Sequence, residues 1–282
     1  TTATQGSGVR INVDGGTGAN GAIRPVKHNP RGGPGGNGGQ ISATISGKLT
    51  TTGSGGDGAI TLSANGGTAG DSAGDGGGDW PRTGGDGGLG GRITLNFSGT
   101  IHSQRYGIYA ESRGGAGGDA EQDSNGNDYQ TPGGYGSAGG DIAHRLGQGL
   151  ITVTSDNVDA VFATSTGGRG GNGGSSHPGN PHTGKAGGNG GSSGSINIDS
   201  AIGIETHGVN SIGINAIVAG GLGGAGGSDS GIIYSKGGAG GRGGSEADLM
   251  VTQAGRITTH GDNATGVLAR SLGGGGAVGG GA

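Results

Sequence analysis

A single phrase returns along this chain at a fixed interval: a small residue, Ile or Val, a short alternating stretch, then Gly-Gly. It reads Gly107-Ile108-Tyr109-Ala110-Glu111-Ser112-Arg113-Gly114-Gly115, then runs from Ala160-Val161 to Gly167-Gly168 and from Gly213-Ile214 to Gly220-Gly221. A last copy is Gly266-Val267-Leu268-Ala269-Arg270-Ser271-Leu272-Gly273-Gly274. The β-branched anchors at 108, 161, 214 and 267 are each 53 residues apart. A looser copy at Ala59-Ile60 lies 48 residues upstream, and a remnant at Ala22-Ile23 lies 37 before that. A constant period of this size marks stacked repeats, each burying its apolar face against its neighbours.

Composition alone would point to disorder, since 83 of 282 residues are Gly and 27% are apolar. Linkers have no reason to hold their length, whereas stacked rungs do, so the period argues for order. The net charge is −4 with both signs interspersed, which leaves no basic cluster to neutralise phosphates and argues against a nucleic-acid partner. No stretch is long and apolar enough for membrane insertion. The absence of Cys rules out a disulfide scaffold and thiolate metal sites.

Each repeat divides at its Gly tracts. The excursions fall at about 31–39, 66–91, 114–140, 167–194, 220–245 and 273–282. The framework between them carries three short stretches of alternating β-branched residues, as in Val161 to Thr164, Ser195 to Ile198 and Ile202 to Thr206. Such alternation bounded by Gly, Asn and Asp reads as strands. Three strands per repeat, stacked in parallel, predict an all-β fold: a parallel β-helix (β-solenoid) of about five rungs with three short strands per rung. His207-Gly208 and His260-Gly261 mark corners. The whole of 1–282 reads as one solenoid, and the Gly tract at its end predicts a piece of a longer array.

Within the excursions Gly-Gly-X predominates: Arg169, Asn172 and Ser175 are three apart, as are Lys236, Ala239, Arg242 and Ser245. A threefold helix of the polyglycine or polyproline II type sets every X on one edge and leaves the other two edges as bare backbone. Ordering Gly costs more conformational entropy than ordering any other residue, and these tracts bury little aliphatic surface. The matched lengths predict legs packed side by side, out and back, through their backbones.

The phrase Gly-Ile-x-Ala-x-Ser-x-Gly-Gly, with Gly203-Ile204-Glu205-Thr206-His207-Gly208 or Gly255-Arg256-Ile257-Thr258-Thr259-His260-Gly261 before it, resembles Gly-rich passenger domains of Gram-negative autotransporters. The resemblance runs from about Ala22 onward and implies a right-handed β-helix and an extracellular, cell-surface location. It also implies further repeats and a C-terminal translocator. Its expected role is a non-enzymatic structural or adhesive segment, whose partner is a host or cell-surface glycan or protein, or another copy. The alternatives are a binding module for a repetitive ligand, polysaccharide or ice, and a β-helix carbohydrate-active enzyme. Against ice stand the charged X residues Arg31, Arg169, Lys236 and Arg242, despite Thr50-Thr51-Thr52.

Reactive constellations are sparse. Gly190-Gly191-Ser192-Ser193-Gly194 matches a nucleophile elbow but lacks the strand before it and the helix after. Gly114 to Asp119 begins like a calcium-binding nonapeptide, yet Glu121 stands where an apolar residue belongs. Asp71, Asp75, Asp79 and Asp86 form the densest acidic run, expected to be a solvated tip rather than a Ca²⁺ site. Asp199, Glu205 and Asp248 are scattered over different strands, unlike the convergent carboxylates of a glycosidase. The seven His lie singly along the sequence, and His102, His207 and His260 are expected to make corner hydrogen bonds. No catalytic, cofactor or metal site is therefore expected. The candidate ladder is at the excursion tips, where Trp80, Tyr129, His182 and Tyr234 fall 20 or 21 residues after their anchors. These rings would either pack as a mini-core or present a strip for sugars.

Overall fold

The computed structural model describes residues 2–3, 8–21, 31–52, 58–73, 83–120, 132–175, 184–229 and 236–281. Among them there is no helix, and the strands are parallel throughout. One sheet stacks β2 (Val9–Asn12), β4 (Gly58–Ser63), β6 (Tyr106–Arg113), β8 (Asp159–Thr166), β11 (Ile212–Ala219) and β14 (Thr265–Leu272). The other stacks β1 (Thr2–Ala3), β3 (Ile41–Thr51), β5 (Ile93–Ser103) and β7 (Ile142–Val153). On β7 it then divides into two rows, β9 (Ile196–Ser200) followed by β12 (Leu249–Gln253), and β10 (Gly203–Thr206) followed by β13 (Ile257–Thr259). The five rungs between β2 and β14 match the architecture of a β-solenoid.

Three sheets were expected and two hydrogen-bonded sheets are present. In the lower rungs the second and third stretches are one strand, bent rather than broken. Gly47, Gly99 and Gly149 occupy the bend with φ of 110°, 132° and 149°, backbone that side chains rarely adopt. In the upper rungs the strand does divide. The Gln253 amide there donates to the carbonyls of Ile202 (2.9 Å) and Gly255 (2.8 Å) at the break.

The expected anchors Ile108, Val161, Ile214 and Val267 stack in direct register. The copy at Ile60 joins the same column, and beneath it is Val9 rather than the Ala22-Ile23 remnant, which falls outside the described residues. The first excursion accordingly begins near Val13, and 31–39 is only its return leg. Ile60, Ile108, Val161 and Ile214 are fully buried and share one core cluster with Ile41, Ile93, Ile142 and Ile196 of the other sheet. Each such side chain contributes roughly 1.5–3 kcal/mol by leaving water. Corners close on Asn157, Asn210 and Asn263, all left-handed with φ of 54–56°, a conformation that Asn tolerates better than most residues.

The excursions form a slab built by backbone hydrogen bonds with a period of three residues. On one outward leg the amides of Gly167, Gly170 and Gly173 donate to the carbonyls of Ala219, Leu222 and Ala225 on the next outward leg. The following residues, Gly168 and Gly171, donate to Ser137 and Gly134 on the return leg of the rung before. The return leg repeats the pattern, Gly187 to Ala239 and Gly190 to Arg242, Gly188 to Gly171 and Gly191 to Gly168. Outward legs thus make one layer and return legs another, joined by antiparallel bonds. The space between legs is too narrow for a methyl group: a Cβ on Gly171 would fall on the carbonyl oxygen of Gly118, and one on Gly188 on that of Gly134.

Ser112 and Ser165, the Ser of the repeated phrase, tie slab to sheet. Ser112 Oγ donates to the Gly91 carbonyl (2.8 Å) and accepts from the Gly140 amide (2.9 Å). Ser165 Oγ donates to the Gly140 carbonyl (2.9 Å) and accepts from the Gly194 amide (2.8 Å).

Gly171→Ala should lower stability by ~1–3 kcal/mol or more, as overpacking does. Gly16→Ala, where a Cβ meets nothing within 4 Å, should change it little. Urea unfolding of the two variants checks this, and equal midpoints would contradict the close approach of the legs.

Candidate functional sites

The tip ladder of Trp80, Tyr129, His182 and Tyr234 falls wholly outside the described residues, as do Asp75, Asp79 and Glu121. The remaining sequence candidates do have positions. Asp71 and Asp86 act as backbone caps, each accepting an amide of the next rung. In the Gly-Gly-X triplets two amides enter the slab and the third faces outward, and where the X residue of the preceding rung is Asn or Asp its side chain accepts that third amide. The outer layer shows a continuous run: Asn20 accepts from the Asp71 amide (3.0 Å), Asp71 from Asp119 (2.8 Å), Asp119 from Asn172 (2.7 Å) and Asn172 from Ala225 (3.0 Å). On the return layer Asn37 accepts from Leu89, Asp86 from Tyr135 and Asn189 from Arg242. Asp119, the acidic end of the nonapeptide-like stretch, belongs to this ladder as well. Ser192 of the elbow-like match lies on the return leg, its carbonyl accepting from the Gly139 amide.

A second group of rings, which the sequence reading missed, gathers on the outer face of the β6–β8 pair. Tyr109 and Phe162 are directly in register and stack with centroids 5.1 Å apart at 16°. Tyr106 packs against both at 5.4 and 5.6 Å. The Tyr109 hydroxyl bonds Glu111, which also pairs with Arg113 at 2.6 Å. Beside these rings Arg105, Tyr106, Asp156 and Asn157 line an open pocket of about 330 Å³. The signal was in the spacing, since 109 and 162 are one period of 53 apart. The result is a half-buried aromatic surface bordered by a cation, a carboxylate and amides.

A third group stands at the corner after β10 and β13. His207 and His260, which follow paired Thr206 and Thr259, stack with centroids 4.7 Å apart at 10°. Glu205 Oε1 lies 3.4 Å from His207 Nε2 and 3.1 Å from His260 Nε2. The expectation of corner hydrogen bonds for these two is met at His260, which bonds Glu205. The expectation that they lie singly is not met, because the repeat stacks them. Asp199 and Asp248 do not join Glu205: Asp199 lies beside Arg145 and Thr252 in the ladder, and the Asp248 carbonyl accepts from the Ile196 amide.

Two titratable groups are buried in the framework. His144 occupies a column otherwise held by Ala43, Leu95, Ile198 and Val251. It is 1% exposed, and neither ring nitrogen has a hydrogen-bond partner. Burial lowers its pKa to about 4. Asp159 accepts from the Asn215 amide at 2.9 Å, and burial raises its pKa, against the Asn215 bond, a backbone bond and the charge of Arg270.

Comparison with protein-family models and with curated proteins finds no match. Among solved structures, a springtail antifreeze protein from Granisotoma rainieri, described as a nine polyproline type II helical bundle, aligns with 87% of this chain and 94% of its own. Identity is 21% and the TM-score 0.18, a superposition too poor to fix fold or function.

His144→Leu should stabilise the fold by ~1–3 kcal/mol, the cost of an unsatisfied buried polar group. The folded pKa of His144 lies below its unfolded value of 6.5. Its contribution is therefore complete above pH 6.5 and is lost as pH falls toward 4, on the order of 3 kcal/mol in all. Asp159 titrates in the opposite sense in both proteins and cancels in the comparison. Urea midpoints at pH 7 and pH 4.5 should fall more steeply in the wild type than in the variant, and parallel slopes would contradict a buried neutral imidazole.

Proposed function

We propose that this chain is a non-enzymatic structural and adhesive segment of an extracellular bacterial surface protein of the autotransporter-passenger kind. It is a right-handed parallel β-helix widened by excursions that are polyglycine/polyproline II-like helices. The three-residue bonding period of the slab supports that conformation, since a polyproline II helix has three residues per turn. In a slab whose faces are backbone and whose rim is Asx caps, side chains are spent on holding neighbouring rungs together. Recognition then belongs to the framework surface.

The observation that carries the adhesive reading is the aromatic surface of Tyr106, Tyr109 and Phe162 beside the pocket of Arg105, Asp156 and Asn157. Flat rings present an apolar face to the C–H side of a sugar, and the bordering charged and amide groups suit its hydroxyls. The partner is accordingly a cell-surface glycan, held where two rungs meet.

Tyr106→Ala and Phe162→Ala, tested on immobilised glycans and on cell adhesion, should abolish binding. Losing one aromatic pair costs only ~0.5–1.5 kcal/mol beyond burial, so circular dichroism should still show the folded protein. Undiminished binding by both folded variants would overturn the assignment of the surface.

A further inference from the structure

We infer that Glu205, His207 and His260 form a binding site for one divalent transition-metal ion such as Zn²⁺. The repeat itself builds the site. One period of 53 residues carries His207 onto His260, through the register of Thr206 with Thr259. Glu205 precedes His207 by two positions, so the strand alternation points its side chain to the same outer side while Thr206 turns into the core. The three donor atoms, two imidazole nitrogens and a carboxylate oxygen, all lie within 4.8 Å of one another.

Their spacing suits a shared ion. Ligands about 2.0–2.1 Å from a tetrahedral Zn²⁺ stand roughly 3.3 Å apart, and Glu205 Oε1 is 3.1 Å from His260 Nε2 and 3.4 Å from His207 Nε2. The two rings lie nearly parallel, at 10°, so their Nε2 lone pairs must tip toward each other to converge. Side-chain exposures of 41% for His207, 47% for His260 and 34% for Glu205 leave room for that rotation without disturbing the core. In the present arrangement one carboxylate oxygen lies within reach of both rings, and a bound cation would stand between these three donors.

The donor set defines the class of ion. Two imidazoles with one carboxylate favour Zn²⁺, Ni²⁺ or Cu²⁺ over Ca²⁺ and Mg²⁺, which prefer all-oxygen shells. Three protein ligands at an exposed corner leave the fourth position to water or to a donor from a partner. The site occurs once along the described corners because Thr154 holds the equivalent position one rung below His207.

Calorimetric titration of the metal-stripped chain with Zn²⁺ should give one ion per chain. His207→Ala, His260→Ala and Glu205→Gln should each lower the affinity at least about tenfold. His102→Ala, which alters an exposed His elsewhere on the same sheet, should leave it unchanged. Co²⁺ should give the visible absorption of a tetrahedral site in the wild type and lose it in the His207→Ala/His260→Ala variant, whose strand circular dichroism should be intact. Failure of the wild type to bind Zn²⁺, or one-to-one binding that survives the double substitution, would overturn the site.

Discussion

The structure depends on the approach of bare backbones. In the slab the amide of one leg meets the carbonyl of another with no Cβ between them, so that Gly171 and Gly188 each sit where a methyl group would overlap a neighbouring carbonyl oxygen. This reverses the usual account of glycine, whose conformational freedom destabilises ordered structure. Each Gly loses that freedom, and the loss is offset by a hydrogen bond made in a setting largely shielded from water. With 83 Gly and 27% apolar residues, no ordinary core could order this much chain.

Everything else serves to hold that lattice in register. The aliphatic columns from Ile60 to Val267 and from Ile41 to Leu249 fix the vertical spacing of the rungs. The Ser112 and Ser165 hydroxyls fix the points at which their two excursions leave the sheet. The Asx run from Asn20 to Asn172 satisfies amides that face away from the slab. A buried polar misfit such as His144 costs stability, which the in-register aliphatic neighbours along its column offset by their own burial. Function then arises where the period brings unlike side chains together on the outside.

How far this could be read from the sequence follows from what repeats in it. The anchor period determined the stacking of Ile108 on Val161 and Ile214, and the Gly-Gly-X spacing foretold legs that bond every third residue. The number of sheets was not legible, because a Gly at a positive φ continues a ladder around a bend where pattern alone suggests a break. The corner pair His207 and His260 and the stacked Tyr109 and Phe162 were each one period apart, so the repeat held both clusters. Each cluster fills only two adjacent rungs of its column, so the pattern along the chain is too short to stand out. Capping by Asp71 and Asp86 was hidden for a different reason: a carboxylate that accepts a backbone amide looks, in sequence, like one that meets solvent.

Amide hydrogen exchange of the native chain tests the central claim most directly. If the excursions are an ordered slab, the amides of Gly168, Gly171, Gly188 and Gly191, which donate between legs, should exchange as slowly as those of the core strands β8 and β11. The Arg169 amide, at the outward X position of the same leg, should exchange faster. Exchange of these four Gly amides at the rate of an unstructured chain would contradict the account.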